Sequence, residues 1–115
     1  MATLTVQKTV LAGFNPTFGS AAGGGDEFIN TGKQYLQYKN TGGSPLTVTI
    51  VNQTPCNYGG GTSVHNVAVV IPATTGDIRI GPLDPLRFND VNGKVQITYS
   101  GVTGLTVAVV ELPVK

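Results

Sequence analysis

One histidine, one cysteine and six carboxylates are the main resources this 115-residue chain offers for covalent or acid–base chemistry. His65 follows Cys56 across a stretch that contains Gly59, Gly60 and Gly61. Nucleophilic hydrolysis needs a base beside the nucleophile and a third group that orients the base. The Cys56–His65 spacing reads instead as a small loop thiol near a polar residue at the start of a strand. The carboxylates are Asp26, Glu27, Asp77, Asp84, Asp90 and Glu111. A glycosidase requires two of them facing each other across a sugar. Asp26 and Glu27 point to opposite faces of an extended chain. Asp84 and Asp90 fall in turn-rich sequence, where Asp bonds local backbone. No residue is assigned a catalytic role, and the chain is not expected to be an enzyme.

Ligand chemistry is similarly thin. Asp84, Asn89, Asp90 and Asn92 carry oxygens of the kind a hard cation takes, but their spacing fits no dedicated loop. Zinc would need more Cys and His. Gly23, Gly24 and Gly25 are followed by Asp26 and Glu27, not by the Lys and helix start of a phosphate-binding loop. No metal or cofactor is therefore expected. Sugar binding on a small β-domain uses exposed aromatic faces, and the available rings are Tyr35 and Tyr58. Tyr38 and Tyr99 share the parity of inward residues and read as core or rim groups.

The elements that would position these residues are strands. Residues 34–40, 46–52 and 94–100 alternate apolar and polar side chains, so that Leu36 and Tyr38, then Leu46, Val48 and Ile50, then Val95, Ile97 and Tyr99 each share a face. Residues 2–10, 26–29, 64–71, 77–80 and 104–112 complete about eight strands, with Gly, Pro and Asn-Gly turns between them. Residues 81–85 are too rich in Pro for a central strand. No helical period runs through three turns. The expected fold is all-β: one β-sandwich or jelly-roll-like domain of about eight antiparallel strands. Residues 1–25 read as a first strand and a long loop, and residues 26–115 as the sandwich core.

Two strands are apolar on both faces, residues 67–71 and 105–112. A sandwich buries only the inner face of each sheet. Either the N-terminal segment folds over the spare faces or another subunit does, and exposure would leave an aggregating patch. The surface candidates are Val69, Ile71, Val110 and Leu112 on these strands. Leu4, Val6, Leu11, Phe14 and Phe18 are candidates on the N-terminal segment. The two phenylalanines serve either as docking anchors or as plugs in the end of their own sandwich.

Composition narrows the function further. Charged residues make up 11% of the chain and the net charge is +1, against about 25% charged in an ordinary domain. The seven basic residues form no run or stripe, so nucleic-acid binding is not expected. No apolar run reaches bilayer length, and no membrane association is expected. One cysteine precludes an intramolecular disulfide, and the N-terminus lacks the pattern of a signal peptide. Synthesis in the cytoplasm is expected.

The run Gly81-Pro82-Leu83-Asp84-Pro85-Leu86-Arg87-Phe88-Asn89-Asp90, continuing Asn92-Gly93-Lys94-Val95-Gln96-Ile97-Thr98-Tyr99-Ser100, resembles the C-terminal half of small capsid decoration, or cement, proteins of tailed bacteriophages. Residues 48–51 before a Cys-containing loop, the ending at 107–112 and the opening at 4–13 extend the resemblance over nearly the whole chain. It implies a β-sandwich subunit, often a homotrimer, bound to the major capsid protein on the outside of a virion. There it would clamp neighbouring capsomers against internal pressure, without catalysis or cofactor. On this reading residues 1–25 are a docking arm, and removing residues through Phe18 is expected to abolish shell binding and leave the fold intact. The other reading is a carbohydrate-binding β-sandwich module, and a phage tail or fibre component is a variant of the first.

Overall fold

The computed structural model describes residues 2–53 and 66–112. Ten strands and one short helix follow in order: β1 (Ala2–Thr3), β2 (Val6–Lys8), β3 (Gly19–Ser20), β4 (Asp26–Ile29), β5 (Gln34–Asn40), β6 (Leu46–Ile50), β7 (Val67–Ile71), β8 (Gly76–Ile80), α1 (Pro85–Phe88), β9 (Lys94–Tyr99) and β10 (Leu105–Glu111). The first sheet has the order β1-β4-β9-β6-β7. The second runs β2-β10-β5-β8, with β3 also on β10. The sheets pack as a sandwich that measures 45 × 40 × 22 Å.

Side-chain alternation sets which face is buried. Phe28, Leu36, Tyr38, Val48, Ile50, Val95, Ile97, Val107 and Val109 point between the sheets and form the core. Each comes from a strand whose intervening residues point outward. The fold class is the expected one, with two differences. The described residues form ten strands instead of about eight, and two of their pairings are parallel: β1 with β4 and β2 with β10. Period-two patterning finds a strand but carries no information about its partner's direction.

The segment expected to act as a docking arm is laced into both sheets. Ala2 and Thr3 lie beside Asp26 and Glu27. Val6, Gln7 and Lys8 lie beside Val109, Val110 and Glu111. Gly19 and Ser20 take the remaining length of the same β10 edge. Gln7 bridges the two short strands by bonding both main-chain groups of Thr17, at 2.8 and 2.9 Å. Removing residues through Phe18 would strip an edge from each sheet, so the fold is not expected to survive that deletion unchanged.

This lacing answers the surplus of apolar faces on β10. Ala108 and Val110 point away from the core yet are buried, Val110 completely. Val110 sits between Gln7 and Tyr35 in register, and Ala108 lies opposite Gln37. Val110 is therefore a packing residue and not a surface contact. Ile71 is corrected in the same way: it shares inward parity with Val67 and Val69 and is fully buried.

The sandwich has two unlike ends. At one, the loops 41–45, 72–75 and 100–104 pack main chain against main chain. A Cβ at Gly104, where φ is +77°, would lie 2.5 Å from the amide nitrogen of Gly42. Both the backbone conformation and the contact exclude a side chain. Gly104→Ala should therefore destabilise the protein by about 2 kcal/mol or more, read as a lower urea midpoint with unchanged slope.

Candidate functional site

The opposite end is built from the links 30–33 and 81–93, the start of the β2–β3 connection and the end of β10. Main-chain bonds tie these loops together: Asn30 N–H to Gly93 O, Thr9 N–H to Glu111 O, Leu112 N–H to Lys33 O, and Gln53 N–H to Arg87 O. Two buried amides complete the frame. Asn30 donates to Leu83 O at 3.1 Å and to Asn89 Oδ1 at 2.8 Å, while Asn89 donates back to Asn30 O at 2.7 Å. Gln34 accepts from Thr31 N–H and Lys33 N–H and donates to Thr31 Oγ1 and Glu111 Oε1.

The loop 81–93 closes this end of the sandwich. Asp84 accepts from Leu86 N–H at 3.0 Å, Pro85 takes a first-turn position, and a four-residue helix follows. Pro loses nothing there, since the first-turn N–H groups have no helical partner. Periodicity marks no helix at residues 85–88, although Asp-Pro is a helix-start signal. Leu83 and Phe88 point inward and are buried. They fill the position considered for Phe14 and Phe18, which are both half-buried and outside the core. The Phe18 ring lies under Lys39 Nζ at 4.5 Å.

Other side chains of this end point outward. Among the described residues the large exposed apolar side chains are Val10, Leu11, Ile29, Val70, Leu86, Val91 and Leu112. All but Val70 belong to the loops and strand ends gathered here. Leu11 and Val91 are fully exposed. A shallow groove of about 390 Å³ runs from Leu112 to Pro82, Tyr35 and Arg79 on the second sheet. The glycine-rich end exposes no large apolar side chain among the described residues.

Of the expected surface residues, Leu11 and Leu112 are exposed at this end. Leu4, Val6 and Val69 are half-buried against the core. Ile29, Leu86, Val91 and Val10 were not singled out from sequence. Ile29 ends a strand, and the other three occupy links where periodicity gives no facing.

The titratable groups are organised for structure. Asp26 is buried in the core and takes the Tyr99 hydroxyl on Oδ2 at 2.7 Å, leaving Tyr38 to donate to Tyr99 at 3.0 Å. Burial first, then the neighbouring phenol and carboxyl, hold Tyr99 well above the ordinary phenol range. Burial also raises Tyr38. The pair meets edge to face, with ring centroids 5.9 Å apart, and links one sheet to the other. Asp26 Oδ1 has no hydrogen-bond partner among the described residues.

On the outer face of the first sheet, Gln96 donates to both Glu27 Oε1 and Asp90 Oδ2, at 3.0 and 2.6 Å. Lys94 Nζ pairs with Glu27 at 3.1 Å. The bond from Gln96, then those from Lys94 and Thr3, lower the Glu27 carboxyl. The main-chain N–H of Lys94 is the largest of the causes that lower Asp90. The oxygens considered for a cation are turned to separate local bonds: Asp84 caps α1, Asn89 clasps Asn30, and Asp90 closes the turn to Asn92 and Lys94. No group of three or more His, Cys, Asp or Glu suited to a metal occurs among the described residues. Cys56, His65 and Tyr58 lie outside the described residues. No helix among the described residues is long and apolar enough to cross a membrane.

Comparison with protein-family models, curated proteins and solved structures finds no match.

Two outcomes follow from this chemistry. Asn30→Ala removes donors to Leu83 and Asn89 and strands their oxygens near the end loops. It should lower stability by about 3 kcal/mol, measured by urea unfolding. Glu27 and Asp90 have folded-state pKa values below their ordinary 4.5 and 3.8. Their contribution is complete above those values and disappears as pH falls through the lowered ones. Stability should therefore be flat with respect to these groups at neutral pH and decline in acid. Gln96→Leu should make that acid decline shallower in a series of urea midpoints against pH.

Proposed function

We propose that this protein is a non-catalytic structural subunit that decorates the outer shell of a viral particle, docking through its apolar end. The carrying observation is the gathering of Val10, Leu11, Ile29, Leu86, Val91 and Leu112 at one end of the sandwich. Scattered apolar residues are normal on a protein surface, whereas their accumulation at one end of a domain points to an interaction site. The major capsid protein, on the outside of the shell and between its capsomers, is the proposed partner. The resemblance in residues 81–100 supplies this choice. The physical reading supplies the docking surface.

Cementing by such a surface needs no chemistry. Apolar burial contributes about 25 cal/mol per Å², and a shell repeats the contact at every equivalent site. The end loops are held by Asn30, Gln34 and Asn89 before binding, so little ordering opposes docking. Low net charge suits a partner surface that is approached without electrostatic steering. The apolar end meets the shell in this arrangement, and the glycine- and threonine-rich end faces solvent.

Leu11→Asp and Leu86→Asp should each weaken co-sedimentation with undecorated shells by tenfold or more. Both side chains are exposed, so thermal unfolding should move by no more than about 0.5 kcal/mol equivalent. Val70→Asp, an exposed site away from this end, should bind like the unaltered protein. Equal binding by all three variants would contradict the assignment of the docking end.

A further inference from the structure

The strands at the sheet edges are β1, β7, β2 with β3, and β8; β1, β2 and β3 are only two or three residues long, and β7 follows residues 54–65. The β8 edge is five residues long. It pairs with β5 on one side, and among the described residues no strand or main-chain bond reaches its other side. An open edge is a template for another strand. Natural edges are commonly protected by charged side chains, a proline or a bulge. Here Pro82 lies beyond the strand's end, and within it stand Asp77 and Arg79, opposite in charge and two positions apart on the same outer face.

Neither charge is satisfied as an ion pair among the described residues. Asp77 takes a neutral donor, Gln37 Nε2, on Oδ1 at 3.0 Å. Lys39 is opposite Asp77 in register, but its ammonium lies over the Phe18 ring. Arg79 borders the groove beside Tyr35 and is exposed.

From this pattern we infer that β8 pairs antiparallel with β8 of a second copy about a two-fold axis at Ile78. In that register Gly76 faces the other copy's Ile80, and Asp77 faces its Arg79. The two-fold repeats each contact, so two cross-strand ion pairs form together. A parallel pairing in equivalent register would place like charges side by side and is disfavoured. The second sheet would become continuous across two copies, β2-β10-β5-β8 followed by its two-fold mate. The inferred assembly is a dimer, in place of the trimer implied by the resemblance. It stands apart from the shell-binding reading, because its evidence is the β8 edge and its assembly requires no shell.

The test is the mass of the full chain in solution at submillimolar concentration, measured by size-exclusion chromatography with light scattering. The unaltered protein should run at twice the 11.9 kDa of one chain. Arg79→Asp and Asp77→Arg place like charges across the axis, and each should reduce the mass to that of one chain. The double variant exchanges the signs and should restore the dimer. Restoration also shows that the substituted chain folds. A single-chain or three-chain mass for the unaltered protein would overturn the inference. So would single variants that remain dimeric or a double variant that remains single.

Discussion

Side-chain amides hold this protein's loops in place, and the form of its surfaces follows from them. Asn30 and Asn89 exchange hydrogen bonds across the apolar end. Asn40 does the corresponding work at the glycine-rich end, donating to Ser44 O and Ile71 O and accepting from Gly42 N–H. Gln7 serves Thr17 as a neighbouring strand would. A buried main-chain group without a partner is costly, and loops contain many of them. Neutral amides meet this demand with both a donor and an acceptor and without desolvating a charge. A chain with 11% charged residues can thus keep ordered loops.

Fixed loops give the two ends of the sandwich different characters. At one end, Gly42 and Gly104 allow main chains to meet closely. At the other, Leu83 and Phe88 turn inward and plug the sandwich, which leaves Leu86 and Val91 on the outside of the same loop. The sheets impose a second asymmetry. Residues 2–20 form short strands at two edges, while the longer β8 edge carries one charge of each sign. The apolar end and the β8 edge meet at Arg79, which borders the groove.

The sequence disclosed what depends on neighbours along the chain. The alternation in residues 34–40, 46–52 and 94–100 identified β5, β6 and β9 and their inward faces. It also gave Tyr38 and Tyr99 the parity of inward residues, though not their contact with each other. Features that depend on distant partners were hidden. Asn30 meets Asn89 across 59 positions, and no local pattern marks either residue. The parallel edge strands are two and three residues long, too short for a period. Val110 is apolar on an outward-facing position, so it read as surface. The long side chains of Gln7 and Tyr35 flanking it make it interior. Of the exposed apolar side chains at that end, Leu11 and Leu112 were expected at the surface from sequence. Leu86 and Val91 required the course of a loop whose Asp-Pro start forms a short helix.

Imaging the source particle by electron microscopy tests the central claim most directly. Plates of about 45 × 40 × 22 Å should stand on the outer shell, with Leu11, Leu86 and Val91 against the capsid and Gly42 and Gly104 toward solvent. Purified particles that lack the protein, or that carry it with the opposite end against the shell, would contradict the account.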